Sequence, residues 1–392
     1  DVYKRQPSMH LNIKEASIPI ENPSLLKIKG KGKIPSLVLD NSTLENTQIN
    51  FNIDRKKEIY HLNCESTEKN GGKIELELQG KDPLFNFSKG SLKLDRISSQ
   101  MVDLFLQTDG KLPDIIGPSL NLNCSAKEKD DHYKLDLIVN SPNFDCSGSF
   151  SLGDEIEITS PLKTTLTLNK KGSIHFPLKD PVRVKAKIFS LKAPLKMPTL
   201  QNSLFEISVE IDHLKLEKGE ELKNFSLKMA KKTKTTPLYF KVKEKGIKGE
   251  GEIDLDNRSA SIQGIAENFP SIFVDTLLDG SYSAFLGDLV TGTFNTEIKN
   301  NNGTLALNIE GPLCHLDFQG LVQDGIVHLE KPLTGTFVIT DEINALLTKN
   351  NKIELLSIRH PMTLFIDQKG FSVPLNDFHL KNLNFSYGRL NV

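Results

Sequence analysis

The chain has 392 residues, of which 38% are hydrophobic, and it contains no Trp. Its 49 Lys and Arg residues balance 50 Asp and Glu residues, so the formal net charge of −1 gives no electrostatic basis for binding nucleic acid. No apolar run approaches the roughly 20 residues that a membrane-spanning helix requires. The length is sufficient for two or three domains.

Strands dominate the predicted elements, because apolar and polar residues alternate along most of the chain. Successive side chains of a strand point to opposite faces of a sheet, so each alternating run predicts one apolar and one polar face. Turn residues, mainly Asn, Asp and Gly, separate the runs, which is typical of antiparallel meanders. In chain order, the clearest runs are 73–78, 135–139, 182–185, 207–211, 253–256 and 305–310.

Three short stretches have the spacing of a helix instead. Ser98 or Ser99 is suited to be the N-cap of the first, Pro270 to begin the second, and Thr340 to cap the third. We expect each apolar helix face to close one end of its sheet. The predicted apolar faces are Ile97, Met101, Leu104 and Phe105; then Ile272, Phe273 and Leu277; then Ile343, Leu346 and Leu347.

Part of the sequence is repeated at a constant interval. Val102 in the first helical stretch corresponds to Val274 in the second, and the segment that follows also returns. A fixed period predicts modular architecture, in which function depends on an extended surface more than on one reactive pocket. The further matches are Asp145 with Asp317, Gly148 with Gly320 and, with one residue fewer, Pro161-Leu162 with Pro332-Leu333.

We predict four segments in this chain. A strand-rich N-terminal segment covers 1–93, a first β module with a short helix covers 94–195, connecting strands cover 196–263, and a second β module with short helices covers 264–392. The Lys- and Pro-rich stretch 192–198 is predicted to be a linker. The first residues hold neither an initiator Met nor the apolar core of a signal peptide, and the last residues are patterned as a strand, so we expect a longer parent chain.

The sequence contains no motif that indicates catalysis. The segment Cys-Ser-Gly-Ser at 146–149 lacks the first glycine of a Gly-x-Ser-x-Gly nucleophile turn, and Gly-Lys-Gly-Lys at 30–33 lacks the frame of a phosphate-binding loop. His315 lies near Cys314 and Asp317, but adjacent strand residues point to opposite faces and do not converge on one metal ion. We therefore expect a protein that is not an enzyme and that uses no cofactor or metal.

The four cysteines show no Cys-x-x-Cys spacing. Cys124 and Cys146 are placed so that they either face each other across neighbouring strands or remain isolated buried thiols, as Cys64 and Cys314 do. Connectivity does not follow from the sequence. Cysteine usage therefore leaves the redox compartment open.

The apolar strand face is the main candidate for a functional surface. If a second layer covers it, these residues form an ordinary core; if the sheet curls into an open gutter, they form a continuous apolar track. Such a track suits acyl chains, since each buried CH₂ contributes about 0.8 kcal/mol. Alternation alone leaves both readings open. The predicted track residues are Ile74, Leu76, Leu78, Leu135, Leu137, Val139, Leu305, Leu307 and Ile309.

A family resemblance favours the track. The segments Asn-Phe-Pro-Ser-Ile-Phe at 268–273 and Leu-Val-Thr-Gly-Thr-Phe at 289–294, together with the chain end at 368–375 and 385–388, resemble the AsmA-like and TamB-like proteins of the bacterial envelope. Lys171-Gly172 with Pro177-Leu178 is a looser match in the first half. The resemblance covers residues 90–392 in style, and residues 1–89 only in being strand-rich.

The resemblance implies a mainly β fold: an elongated antiparallel meander that forms a curled, groove-like sheet of repeated modules with a few short amphipathic helices. It implies a non-enzymatic protein that carries or scaffolds phospholipid or another acyl-chain lipid between membranes and supports outer-membrane biogenesis. A periplasmic location, an inner-membrane helix outside this sequence and an outer-membrane assembly protein as partner are also implied. The alternative is a structural β-sandwich or β-solenoid stalk or adhesin. A carbohydrate- or envelope-processing enzyme is the third class, for which the sequence offers no motif.

Overall fold

The computed structural model describes residues 10–17, 27–39, 42–57, 59–82, 86–130, 132–169, 178–217, 220–278, 282–338, 340–341, 362–366 and 372–374. Of the described residues, 71% lie in strands and 8% in helices, and the antiparallel strands form a sheet that is not closed. Four short helices accompany the strands in this part of the chain. The predicted fold class is confirmed. The chain divides into two compact units, Asp1–Ile174 with Pro181–Ile207 and His175–Asp180 with Ser208–Val392.

Unit 1 is a meander in which each strand pairs antiparallel with the next one in the chain. A 3-10 helix, Arg55–Lys57, follows the third strand, and helices α1 (Ser99–Leu106) and α2 (Leu112–Ile116) separate the sixth and seventh strands. The strands are β1 His10–Ser17, β2 Lys27–Leu39, β3 Ser42–Asp54, β4 Ile59–Glu68, β5 Lys73–Asp82, β6 Asn86–Ser98, β7 Ser119–Lys129, β8 His132–Asn140, β9 Phe144–Leu152, β10 Glu155–Leu168 and β11 Val182–Pro194.

Strand β12 (Leu204–Lys215) spans the boundary, and unit 2 continues with a second antiparallel meander. Helices α3 (Ile272–Leu278) and α4 (Tyr282–Leu286) again interrupt it. Its strands are β13 Glu221–Lys231, β14 Leu238–Lys243, β15 Ile247–Asp254, β16 Ser259–Pro270, β17 Leu289–Lys299, β18 Asn302–Glu310, β19 Cys314–Gln323, β20 Ile326–Leu329, β21 Leu333–Phe337, β22 Met362–Ile366 and β23 Ser372–Pro374. Strand β19 pairs with β18, and also with both β20 and β21.

Helix α1 closes one end of the unit 1 sheet. Ile97 and Met101 are each 1% exposed and form a buried cluster with Leu44, against which Ile74 and Leu94 pack. This burial agrees with the predicted helix face except at Leu104, which is 38% exposed. The side chain of Phe105 and the predicted third helix, with Ile343, Leu346 and Leu347, lie outside the described residues.

In both units, equivalent hydrogen bonds join the start of the helix pair to its end. The Ser99 hydroxyl donates to the Gly117 carbonyl at 2.5 Å, and the Ser271 hydroxyl donates to the Gly287 carbonyl. The backbone amide of each serine also donates across its own helix pair. The Ser99 amide donates to the Pro118 carbonyl, and the Ser271 amide donates to the Asp288 carbonyl, both at 3.0 Å. These equivalent contacts extend the sequence repeat to the atomic level.

A buried or partly buried aspartate organises each helix pair. Asp103 accepts hydrogen bonds from the Thr108 hydroxyl, the Gly110 amide at 2.8 Å and the Leu112 amide at 3.1 Å, and these bonds, with Thr108 foremost, lower the pKa of its carboxyl. In unit 2, Asp275 accepts from the hydroxyl and the amide of Ser283. Each aspartate therefore links the first helix of its pair to the second.

The predicted linker 192–198 is ordered, and part of it is strand. Lys192 to Pro194 complete β11, where Lys192 lies opposite Glu157 and Pro194 lies opposite Glu155. Only the residues from Leu195 onward leave the sheet. The four predicted segment boundaries stay a prediction.

Candidate functional site

The register of unit 1 aligns apolar residues from seven consecutive strands, β3 to β9, on one side of the sheet. Residues directly opposite each other in antiparallel strands share a face. Three rows of such residues cross the strands and define what we call the unit 1 face. The rows are Phe51, Leu62, Leu78, Gly90, Ala126, Leu135 and Phe150; then Ile49, Cys64, Leu76, Leu92, Cys124, Leu137 and Gly148; then Ser66, Ile74, Leu94, Leu122, Val139 and Cys146.

Most of the unit 1 face is only half-buried. Leu76, Leu92 and Leu137, which follow one another along the middle row, all retain partial exposure. In a sandwich core, the corresponding side chains of central strands would be fully covered by the opposite sheet. Full burial on this face is concentrated toward the helix end, where Ser66 and Cys146 are 7% exposed. The described residues therefore form an apolar surface that a helix pair closes at one end.

The opposite side of the same strands is polar and solvated. Glu75 forms an ion pair with Lys93 at 3.7 Å, and Glu77 lies 3.3 Å from the ring nitrogen of His61. The Ser149 hydroxyl donates to the Asp136 carboxylate. The side chains of the His61–Glu77 and Lys93–Glu75 pairs are between 40% and 59% exposed, so each pair contributes little to stability. The sheet in unit 1 thus has one polar face and one apolar face, as the alternation predicts.

All four thiols lie on the apolar side of their strands, and all are free. Cys124 is opposite Leu137, whereas Cys146 is opposite Val139, so these two cysteines occupy different rows on strands that are not neighbours. Of the two arrangements that the sequence left open, the structure therefore has the isolated thiols and not the facing pair. Burial is the main reason that the pKa of the Cys64, Cys124 and Cys314 thiols lies above the usual range.

Unit 2 has an equivalent apolar face, but there it is closed. Val322 and Val327 are 1% and 0% exposed, and Phe318 is 5% exposed. We call this the unit 2 cluster; Phe294, Leu307, Leu316 and Ile366 pack against it. Its buried members are Ile298, Leu305, Phe318, Val322, Val327, Leu329 and Leu333.

The structure brings six of the nine predicted track residues onto one face. Ile74, Leu76 and Leu78 on β5 share the unit 1 face with Leu135, Leu137 and Val139 on β8. The other three residues belong to unit 2. Leu305 is a buried member of the unit 2 cluster, Leu307 packs against it, and Ile309 lies in the adjoining row opposite Leu316.

Four residues that connect β5 to β8 on this face are not among the predicted track residues. Leu92 and Cys124 bridge Leu76 to Leu137 in the middle row, and Leu94 and Leu122 bridge the row beside it. The alternation of apolar and polar residues in β6 and β7 could have identified them. This pattern is weak in β7, because Cys124 and Ala126 are less apolar than Leu or Ile. Only the strand register shows that these residues complete the face.

The described residues contain no group of three or more His, Cys, Asp and Glu side chains able to hold a metal ion. A shallow depression lies on the polar face near Lys93, Asn121 and Ile138. In this part of the chain, no helix is long and apolar enough to span a membrane.

The chain matches no protein-family model, no curated protein and no solved structure. The function is therefore inferred from the geometry of these faces.

Proposed function

We propose that this protein is a non-enzymatic lipid-binding protein, and that the unit 1 face holds the acyl chains. The observation that carries the proposal is the continuity of half-buried apolar side chains across seven strands. With a strand spacing of about 4.8 Å, the face is about 29 Å wide. One leaflet of a bilayer core is about 15 Å thick, so the face is wide enough for a whole acyl chain.

The chemistry of the face fits a hydrocarbon ligand. Its middle row consists of Leu, Ile, Cys and Gly side chains, with no charged group between Ile49 and Gly148. Covering this surface with methylene groups removes apolar area from water, at about 25 cal/mol per Å². Contacts of this kind are non-directional, so binding is distributed over many residues and tolerates different lipids.

The unit 2 cluster supports the structural alternative for its own part of the chain. Its residues are covered by neighbouring protein atoms, so they form a core in the ordinary sense. We therefore place the proposed lipid contact on unit 1 and assign unit 2 a supporting role. Transfer between membranes, the bacterial envelope, an inner-membrane anchor and an outer-membrane assembly partner are proposals that rest on the family resemblance.

The substitution Leu137→Glu tests the proposal against a matched control on the same strand. Leu137 lies in the middle row, whereas its neighbour Ile138 is 49% exposed on the polar side. A carboxylate in the path of an acyl chain costs several kcal/mol, so Leu137→Glu should reduce uptake of a fluorescent fatty acid at least about tenfold. Ile138→Glu should leave uptake within about twofold of the unsubstituted protein.

Circular dichroism of both variants checks that they remain folded. Mass spectrometry of lipid extracted from the purified unsubstituted protein provides an independent readout, in which co-purified phospholipid or fatty acid is expected. Protein that carries no lipid and takes up no fluorescent fatty acid would show that the unit 1 face is not a lipid-binding surface. Equal uptake by the two Glu variants would place the binding elsewhere.

A further inference from the structure

The loop between β11 and β12 exposes three large aliphatic side chains within a few residues of each other in the chain. Leu195 is 55% exposed, Met197 is 87% exposed and Leu200 is 57% exposed. Isolated exposed apolar residues are normal on soluble proteins, but several in one loop are characteristic of an interaction site. We call these three residues the loop tip. Lys196 lies between two of them in the chain and is also exposed.

The loop is ordered by its own hydrogen bonds. The Thr199 amide donates to the Asn202 side-chain oxygen at 2.7 Å, and the Asn202 amide donates back to the Thr199 hydroxyl at 3.2 Å. The Asn202 side-chain nitrogen donates to the Met197 carbonyl at 3.2 Å. The Leu195 amide donates to the Asp154 carbonyl at 3.0 Å, which fastens the start of the loop to the turn between β9 and β10.

These hydrogen bonds hold the Met197 backbone in an unfavourable conformation while its side chain remains exposed. Met197 has φ of 52°, in the left-handed region that L-residues other than Asn and Asp rarely adopt. The Asn202 bond to the Met197 carbonyl holds that conformation. A loop that is already ordered loses little conformational entropy when it contacts a partner, so the exposed side chains are preorganised for insertion.

The composition of the loop tip favours a membrane over a protein as its partner. Protein hot spots are enriched in Trp, Tyr and Arg, which the segment 195–200 lacks. Interfacial membrane segments combine aliphatic side chains that enter the acyl region with Lys side chains whose ammonium groups remain at headgroup level. Lys196 between Leu195 and Met197 matches that second arrangement.

We propose that the loop tip inserts into the interfacial region of a lipid bilayer, with Leu195, Met197 and Leu200 among the upper acyl segments and Lys196 among the headgroups. The surface contacted is a membrane, not a single lipid molecule. The contact does not require the unit 1 face to hold an acyl chain. Loss of one property therefore leaves the other intact, and the two proposals fail separately.

The absence of Trp from the chain makes insertion directly measurable, because one introduced Trp is the only source of indole fluorescence. In Met197→Trp, addition of vesicles that contain phosphatidylcholine and phosphatidylglycerol in equal parts should shift the emission to shorter wavelength, and brominated acyl chains should quench it. In Val38→Trp, a control at a strand residue that is 67% exposed, neither change is expected. No shift and no quenching in Met197→Trp would overturn the proposal.

A triple variant tests the contribution of the native side chains. Leu195→Ser, Met197→Ser and Leu200→Ser combined should lower binding to the same vesicles about tenfold in a co-sedimentation assay. A matched triple, Val38→Ser, Leu106→Ser and Leu255→Ser, removes exposed apolar residues from a strand, a helix and a turn and should bind like the unsubstituted protein. Circular dichroism confirms folding of both. Equal binding by both triples, or loss of self-association instead of vesicle binding in the first, would contradict insertion.

Discussion

Cys64 and Cys124 are natural reporters of what occupies the unit 1 face, because both thiols lie in its middle row. Burial raises the pKa of each thiol, so the reactive thiolate is scarcer at a given pH than in an unfolded chain. We expect their alkylation rate to keep rising with pH beyond the range in which the unfolded protein has levelled off. Mass spectrometry of alkylated peptides measures each rate separately.

The same shift has a consequence for stability. The folded protein favours the neutral thiol over the thiolate. The stabilisation that each thiol contributes to the free energy of unfolding is therefore present below the ordinary thiol pKa and is lost as the pH rises through the raised pKa.

An acyl ligand on the unit 1 face should slow alkylation of Cys64 and Cys124 further. Cys314, in unit 2, serves as the internal control, since its rate should not respond to the ligand. Alkylation of Cys64 and Cys124 at the rate of unfolded protein would contradict their half-buried positions.

At the level of individual residues, the sequence predicts the side of the sheet but not the exposure. Period-two alternation places Leu137 and Ile138 on opposite faces, and the structure has them there. The sequence does not reveal that Leu137 is half-buried while Leu305, in a similar run, is 7% exposed. Burial depends on neighbours that are distant in the chain, and alternation carries no information about them.

The helix pairs provide the element-scale test of the duplication. Ser99 is fully buried and Ser271 is 1% exposed, and each hydroxyl donates to the glycine carbonyl that ends the helix pair. Replacing either serine with Ala leaves that carbonyl without its donor, which should cost about 1–3 kcal/mol. We expect Ser99→Ala and Ser271→Ala to destabilise the protein to a similar extent in chemical denaturation.

Ser125→Ala is the control for this pair, because Ser125 is exposed on the polar side of β7. It should change the free energy of unfolding by less than about 0.5 kcal/mol. A large effect at Ser99 with none at Ser271 would mean that the two helix pairs are not equivalent in energy, although they share their hydrogen bonds.

The sequence predicts the first helix of each pair but not the second helix or the full extent of the buried face. Spacing of apolar residues locates α1 and α3, and Ile97, Met101 and Phe273 are buried as expected. The second helix of each pair, α2 or α4, has five residues, which is too short for helical periodicity to detect. The spacing predicts Leu104 on the buried face, but α1 ends two residues later and Leu104 is 38% exposed, so the buried face does not extend that far.

A glycine and a proline recur in both units, outside the matches by which the sequence predicts the repeat. Gly117 and Gly287 have φ of 95° and 82°, which glycine adopts without strain. An added Cβ would lie 3.1 Å from Pro142 or Pro312, respectively. The same close approach occurs in each unit, with the same number of residues between the glycine and its proline. This spacing of glycine and proline is therefore a sequence signal of the repeat.

At the scale of the whole molecule, two similar strand patterns form two different surfaces. The unit 1 face is half-buried, and the unit 2 cluster is closed. The difference arises after β19, which pairs with both β20 and β21. These two strands supply Val327, Leu329 and Leu333 to the cluster. A branch of this kind depends on where the chain turns after each strand, so a family resemblance or an alternating pattern does not predict it.

Photo-crosslinking with a fatty acid that carries a diazirine in its acyl chain is the most direct test of the proposed lipid contact. After irradiation and proteolysis, mass spectrometry locates the modified peptides. We predict adducts on peptides from β4 to β8, at apolar-side residues such as Leu76, Leu92 and Leu137, and few on the unit 2 cluster. Adducts that are absent from β4 to β8, or spread evenly over both units and both faces, would contradict lipid binding by the unit 1 face.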